Sequence, residues 1–101
     1  MTGRNCIAAL KALGEVTRMR MFRLLSTSSL SVNEISKRLK VPQYNISKHL
    51  RVMREAGLLR VEERGRNHLY TVQPEFKAKL TANHKVLDLG CCMFRLGSLP
   101  K

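Results

Sequence analysis

Whatever chemistry this chain can perform rests on three sulfurs and a concentration of cations. Cys91 and Cys92 are adjacent, and Cys6 lies at the other end of the chain. Thiolates suit soft ions such as Cu(I), Zn(II), Cd(II) or trivalent arsenic. A thiolate beside Arg95 or Lys85 would also be reactive enough to serve as a redox switch. Adjacent side chains point to opposite faces of a strand and lie roughly 100° apart on a helix. Cys91 and Cys92 would therefore share one ion only in an irregular stretch, which Gly90 permits. Cys6 would add a third sulfur, from the other subunit if the first and last helices pair across a dimer. The plainer alternative is packing, since free cysteines behave as small core residues. A thiolate-bound soft metal or arsenite, a redox switch, and packing with no cofactor all stay open, the last being favoured.

The cations are unevenly placed. Lysine and arginine number 19 against 7 acidic residues, a formal charge of +12. Residues 37–66 hold nine of those cations and three acids, a net of +6, which is half the charge in under a third of the chain. Such a concentration implies a polyanionic partner, nucleic acid before an acidic membrane surface. No catalytic constellation accompanies it. Ser47 and His49 are two apart with no acid placed to serve them. The run VLDLGC at residues 86–91 resembles the first motif of S-adenosylmethionine-dependent methyltransferases, but the further Gly-x-Gly which that cofactor needs is missing. An enzyme is not expected.

A chain of 101 residues, 44% of them apolar, allows one domain. No apolar run approaches the roughly 20 residues of a membrane span, and the first residues do not read as a secretion signal. An odd cysteine count fits a reducing cytoplasm better than a disulfide framework. A domain this small is marginal alone, so burial of further surface by dimerising is expected.

The elements that must position these residues can be read from periodicity. Ile7, Ala8, Leu10, Ala12 and Leu13 mark a first helix ending near Gly14, and residues 16–27 a second, with Met21, Phe22, Leu24 and Leu25 on one side. Ser31 and Glu34 form an S-x-x-E capping box, the start of a third helix carrying Ile35 and Leu39. After the Lys40-Val41-Pro42 turn, a fourth helix runs from Pro42 to about Ala56, where Gly57 can take a left-handed cap. Two short helices joined by about four residues make a helix-turn-helix. Residues 58–63 and 68–72 then read as strands of a β-hairpin with the basic tip Arg64-Gly65-Arg66-Asn67. Pro74-Glu75 opens another helix, with Phe76 and Leu80 four apart, fading near Asn83. The apolar stretch 84–96 predicts a partly helical or extended segment buried against a partner subunit. The expected fold is thus mostly α with a small β-hairpin, a winged helix-turn-helix over residues 1–83. Residues 84–101 are expected as a C-terminal segment, bearing Cys91-Cys92, at a dimer interface.

On the fourth helix Ile46, Leu50 and Met53 fall within one narrow arc and face the core, while Tyr44, Lys48 and Arg51 lie opposite with Ser47 at the flank. An α-helix fits the major groove of duplex DNA, where lysine and arginine donate to guanine and hydroxyls pair either way. Gln43, Tyr44, Ser47 and Lys48 are therefore assigned to base edges or nearby phosphates, and Arg51 to phosphate. His49, at the edge of the core arc, is either a DNA contact or a hydrogen-bonded packing residue. Arg64 and Arg66 flank Gly65 at a tip narrow enough for the minor groove, whose concentrated negative potential attracts arginine. Arg18 and Arg20 either reach phosphate or pair locally.

Residues 9–25 (ALKALGEVTRMRMFRLL), 31–39 (SVNEISKRL) and 41–59 (VPQYNISKHLRVMREAGLL), with Gly65-Arg66 and Tyr70 in the hairpin, resemble the ArsR/SmtB family of bacterial transcriptional repressors. The likeness covers residues 7–76. It implies a cytoplasmic homodimer that binds an inverted-repeat operator in double-stranded DNA and lets go when a ligand binds, often a metal ion or metalloid. Family members with a thiolate site on the third helix carry two cysteines near its start, where this chain has Ser31-Val32-Asn33. Members with a site on the last helix carry a spaced Asp and His set, of which only Asp88 and His84 are present. Neither sensor site carries over. The rival reading is a winged-helix RNA-binding or protein-interaction module without operator specificity.

Overall fold

Helix starts leave backbone N–H groups unpaired, and this chain answers them with side chains. Ser31 Oγ accepts from Glu34 N at 3.2 Å, and Glu34 Oε1 accepts in return from Ser31 N at 3.0 Å. That reciprocal pair opens helix α3 (Val32–Leu39), and Glu15 caps α2 (Val16–Leu25) in a related way. A computed structural model describes residues 3–81 and 83–98 of the chain. Residue 82 and the last residues of the C-terminal segment, 99–101, lie outside that description. Helix α1 (Gly3–Leu13) precedes α2, and α4 (Gln43–Glu55) follows α3. Pro42 is the residue before α4 rather than its first member, with extended backbone at ψ 143°.

The turn from α3 into α4 passes through Lys40, whose φ of 57° is left-handed. At the far end of α4, Gly57 takes φ 79°, letting its own N–H reach Arg54 O at 2.9 Å and the N–H of Leu58 reach Met53 O at 3.0 Å. That glycine cap reverses the chain into strand β1 (Leu59–Arg64). β1 pairs antiparallel with β2 (Asn67–Val72), in a register running from Leu59 opposite Val72 to Arg64 opposite Asn67. The tip is tighter than expected: Arg64 and Asn67 still pair, so the loop is Gly65-Arg66 alone, with Gly65 at φ 62°. Leu30 adds a bridge to Tyr70, exchanging backbone bonds of 3.0 and 2.8 Å, and ties the hairpin to the entry of α3.

Beyond the hairpin the chain departs from the sequence reading. The helix expected from Pro74 to Asn83 is one turn long, α5 (Pro74–Lys77). Phe76 is buried as expected, but Leu80 belongs to a strand, β3 (Leu80–Thr81). β3 pairs with β4 (Val86–Asp88), which pairs with β5 (Met93–Arg95), giving a second, three-stranded antiparallel sheet; a 3₁₀ turn, Leu96–Ser98, follows. Asn83 and His84 adopt φ of 57° and 65°, and these left-handed residues lie between β3 and β4 where a helix would have to continue. Leu87 and Leu89, two apart, bury on one face, as a strand requires and a helix does not.

The core gathers Met21, Phe22 and Leu25 of α2, Ile35 of α3, Ile46, Leu50 and Met53 of α4, and Leu58 and Val72 beside the hairpin. Leu87, Leu89 and Leu96 join the same cluster. Three of the apolar residues expected to be buried against a partner subunit, Leu87, Leu89 and Leu96, are thus buried within this chain, while Met93 is 65% exposed. Truncating one of them should cost what a core truncation costs. Leu87→Ala should lose about 2–5 kcal/mol in urea unfolding; a loss under about 0.5 kcal/mol, the size of a surface change, would show that the second sheet is not part of the core.

Candidate nucleic-acid interface and cysteine cluster

With Ile46, Leu50 and Met53 at most 2% exposed, α4 can present only its opposite side to a partner. Gln43, Tyr44, Ser47, Lys48 and Arg51 are all exposed there. Tyr44 is 71% exposed, an unusual setting for a large aromatic at the start of a helix. Lys48 Nζ lies 4.9 Å from the centre of the Tyr44 ring, so the cation rests on the aromatic face. Gln43 Nε2 donates to Asn33 Oδ1 of α3 at 2.9 Å, which orients the amide across the two helices. Asn33 is a residue that sequence reasoning misses; it occupies the third position of the capping box sequence, and nothing in that motif points to a role for it. Arg51 pairs with Glu55 at 3.1 Å, but both side chains are mostly in solvent, where such a pair contributes roughly 0–1 kcal/mol and is readily exchanged.

In the wing, Glu62 meets Arg60 at 3.3 Å and Arg64 at 3.6 Å. Arg66 has no acidic partner among the described residues and stands exposed at the tip. The hairpin therefore carries two arginines, Arg60 and Arg64, held against its own strand, and one, Arg66, without an acidic partner among the described residues.

His49 is half-buried and faces inward. Its Nδ1 lies 3.3 Å from Arg18 Nη1 and 3.7 Å from Glu15 Oε2. Arg18 Nε donates to the carbonyl of Ala12 at the end of α1. These groups fasten α1 and the start of α2 to the middle of α4, so the packing alternative describes the Nδ1 side of His49. Arg18 is a structural tie rather than a free phosphate ligand, and Arg20 Nη2 donates to Leu39 O at 3.4 Å. Burial alone would raise the Glu15 carboxyl. The N–H groups of Thr17 and Arg18, each 2.9 Å away, with the charges of His49 and Arg18, outweigh it and hold the group below its ordinary value.

The cysteines converge, and they do so within one chain. Cys6, buried on α1, and Cys91 are joined as a disulfide with Cα atoms 6.5 Å apart. Cys92 Sγ lies 3.8 Å from Cys91 Sγ, and all three sulfurs fall within 4.8 Å of one another. Cys6 meets the other two sulfurs without a second subunit, the route conditional on helices pairing across a dimer: the second sheet folds the β4–β5 turn back onto α1 of the same chain.

A helix whose buried face fixes its basic face, followed by a basic hairpin, defines a winged helix-turn-helix DNA-binding protein. Residues 13–62 match the family described as a helix-turn-helix domain. The transcriptional activator HlyU of Vibrio cholerae is 31% identical over 83 residues, spanning 81% of this chain and 77% of HlyU. Its solved structure superposes with a TM-score of 0.69 over 77% of this chain and 88% of that one. An ArsR-like transcriptional regulator from a Rhodococcus species is 25% identical, with a TM-score of 0.67 over 71% of this chain and 68% of its own. The transcriptional repressor PagR of Bacillus anthracis is 26% identical, with a TM-score of 0.66 over 74% of this chain and 87% of its own. The chain belongs to the ArsR/SmtB-type family of winged helix-turn-helix transcriptional regulators. It is a DNA-binding regulator and not an enzyme. No helix among the described residues is long and apolar enough to cross a membrane.

The Glu15 cap gives a pH-dependent expectation. A carboxyl held below its ordinary value of 4.5 contributes stability that is complete above that value and is lost as pH falls through the lowered one. Glu15→Ala should cost about 1 kcal/mol at pH 7 in urea melts, and the difference from wild type should shrink on acidification. An unchanged difference at about pH 3, below the ordinary carboxylate range, would remove the charge from this account.

Proposed function

We propose that the chain is a cytoplasmic homodimeric repressor that occupies an inverted-repeat operator and is released by an effector acting through its cysteines. Gln43, Tyr44, Ser47 and Lys48 read base edges in the major groove, and Arg51 holds phosphate. Arg66, with Arg64 behind it, enters the adjacent minor groove. The observation that carries this reading is the single exposed basic face of α4 beside the unengaged Arg66 of the wing. Three further cations of α3 and its end, Lys37, Arg38 and Lys40, are exposed ahead of α4. A cation lodged on an aromatic ring, as Lys48 is on Tyr44, is held ready for a groove at little cost in side-chain freedom.

Dimerisation is supported by α1. Its Ile7 and Leu10 are 55% and 43% exposed, and Val16 at the start of α2 is 53% exposed. A small domain gains most by covering such residues with a copy of itself. Repression is what the ArsR/SmtB likeness implies; PagR is described as a repressor and HlyU as an activator, and both outcomes begin with operator occupancy.

The test is fluorescence anisotropy on an inverted-repeat duplex and on bulk DNA across a salt series. If a dimer neutralises about 8 phosphates, log affinity should fall on log salt with a slope of roughly −7. Arg66→Ala should weaken binding to all sequences and make the slope shallower by about 1 for each phosphate no longer neutralised. Lys48→Ala should instead cost about 1–3 kcal/mol on the preferred sequence and relax discrimination. Affinity that never separates operator from bulk DNA would favour the RNA or adaptor reading.

A further inference from the structure

Two amides meet on the surface where the helices of the helix-turn-helix come together. Asn33 is the second residue of α3 and Gln43 the first of α4. Both residues are exposed, yet Gln43 Nε2 donates to Asn33 Oδ1 at 2.9 Å. In water such a bond adds little to stability, because each amide can pair with solvent instead. What it does is aim an otherwise mobile side chain. A glutamine that enters a groove must be ordered there, and that ordering subtracts from affinity. The backbone beneath the pair is rigid. Ser31 Oγ and Glu34 Oε1 lock the first turn of α3 on either side of Asn33. Ser36 Oγ donates to Val41 O at 2.6 Å and closes the turn into α4, while the fully buried Ile35 and Ile46 join the two helices to one core.

Counting donors shows what the anchored amide can read. A glutamine amide offers two N–H donors and one carbonyl oxygen. Gln43 spends one N–H on Asn33, which leaves one donor and one acceptor. In the major groove adenine presents N7 as an acceptor and N6–H as a donor, the complement of that remainder. Guanine presents two acceptors, N7 and O6. Donating to both would take both N–H groups and break the bond to Asn33; with the bond kept, the Gln43 oxygen would face guanine O6. The adenine contact and the Asn33 bond are compatible. An amide pairs with adenine through its oxygen and the N–H beside that oxygen, and the N–H on the chain side stays available to Asn33.

We propose that Asn33 is a positioning residue for Gln43, and that the pair reads adenine in the major groove and disfavours guanine. Asn33 need touch no base itself. The proposal rests on the major-groove reading of Gln43 and adds to it a base identity and the residue that enforces it. Its thermodynamic signature is a pair of unlike effects. Loss of Asn33 removes preorganisation from the adenine complex, and it relieves the guanine complex of a bond that had to be broken.

The test uses the full chain in two arms. Without DNA, the Gln43 side-chain N–H signals in a proton–nitrogen NMR spectrum should shift in Asn33→Ala and stay near wild type in Asn33→Asp, which keeps an oxygen acceptor. With DNA, a pool of random duplexes is selected by wild type and by Gln43→Ala to find the base pair whose preference Gln43 sets. Duplexes with A·T or G·C at that pair are then compared by fluorescence anisotropy. Wild type should favour adenine by roughly 5- to 150-fold, the size of one bidentate contact. Asn33→Ala should weaken the adenine duplex and bind the guanine duplex as tightly as wild type or more so. The preference should thereby fall roughly 2- to 10-fold, the worth of one hydrogen bond. Asn33→Asp should restore the preference while weakening both duplexes alike, since it adds a negative charge beside the phosphates. In a Gln43→Ala background, Asn33→Ala should change the preference no further. Unshifted Gln43 signals in Asn33→Ala, equal weakening of both duplexes, an unchanged preference, or a wild type that favours guanine would overturn the proposal. If Gln43→Ala loses a base preference and Asn33→Ala does not, the positioning role alone fails. If Gln43→Ala loses none, the major-groove reading of Gln43 fails and takes the proposal with it.

Discussion

The interface depends on one constraint: α4 has a side it cannot show. Ile46, Leu50 and Met53 are sealed in the core with Phe22, Ile35 and Leu58, so rotation of the helix would expose several large apolar side chains at about 1.5–3 kcal/mol each. The opposite face is therefore held in a fixed direction without any partner. Tyr44, Ser47 and Lys48 inherit their aim from residues that never meet the solvent. Recognition of a groove requires that kind of preorganisation, because each side chain ordered on binding subtracts from affinity.

Charge follows the same geometry. The acids near this face are tied up locally: Glu55 with Arg51, Glu62 with Arg60 and Arg64, Glu15 with the first turn of α2. Lys48 and Arg66 are left without an acidic partner among the described residues, one on the helix and one at the hairpin tip. The Glu15, Arg18 and His49 contacts link α1 to α4, so the helix that bears Cys6 and the helix that bears Lys48 are joined through one intervening polar cluster.

Much of this was legible in the order of residues, for physical reasons. The capping box at Ser31 and Glu34, the glycine at position 57 and the three-residue arc of α4 are local signals, each decided within a turn or two of chain. The hairpin needed only its alternation and a glycine. The C-terminal region was not legible in the same way. Phe76 and Leu80 have helical spacing, but Leu80 is drawn into a two-residue strand whose partner, Val86-Leu87, is decided by tertiary pairing. Strands of two or three residues are too short for period-two alternation to stand out. Leu87 and Leu89 held that signal, masked by the neighbouring apolar residues. The meeting of Cys6 with Cys91 was out of reach for a related reason: it depends on that sheet folding 85 residues of chain back on itself. The irregular turn that lets Cys91 and Cys92 share a side was foreseeable from Gly90, and it is there.

Whether α4 and the wing read a symmetric operator can be measured by selection from a pool of random duplexes followed by base-resolved footprinting. A two-fold symmetric sequence with half-sites about one helical turn apart should be enriched. Protection should fall in the major groove under α4, with flanking minor-groove protection that disappears when Arg66 is replaced. Recovery of no common sequence, or protection confined to a single asymmetric site, would contradict symmetric reading by α4 and the wing.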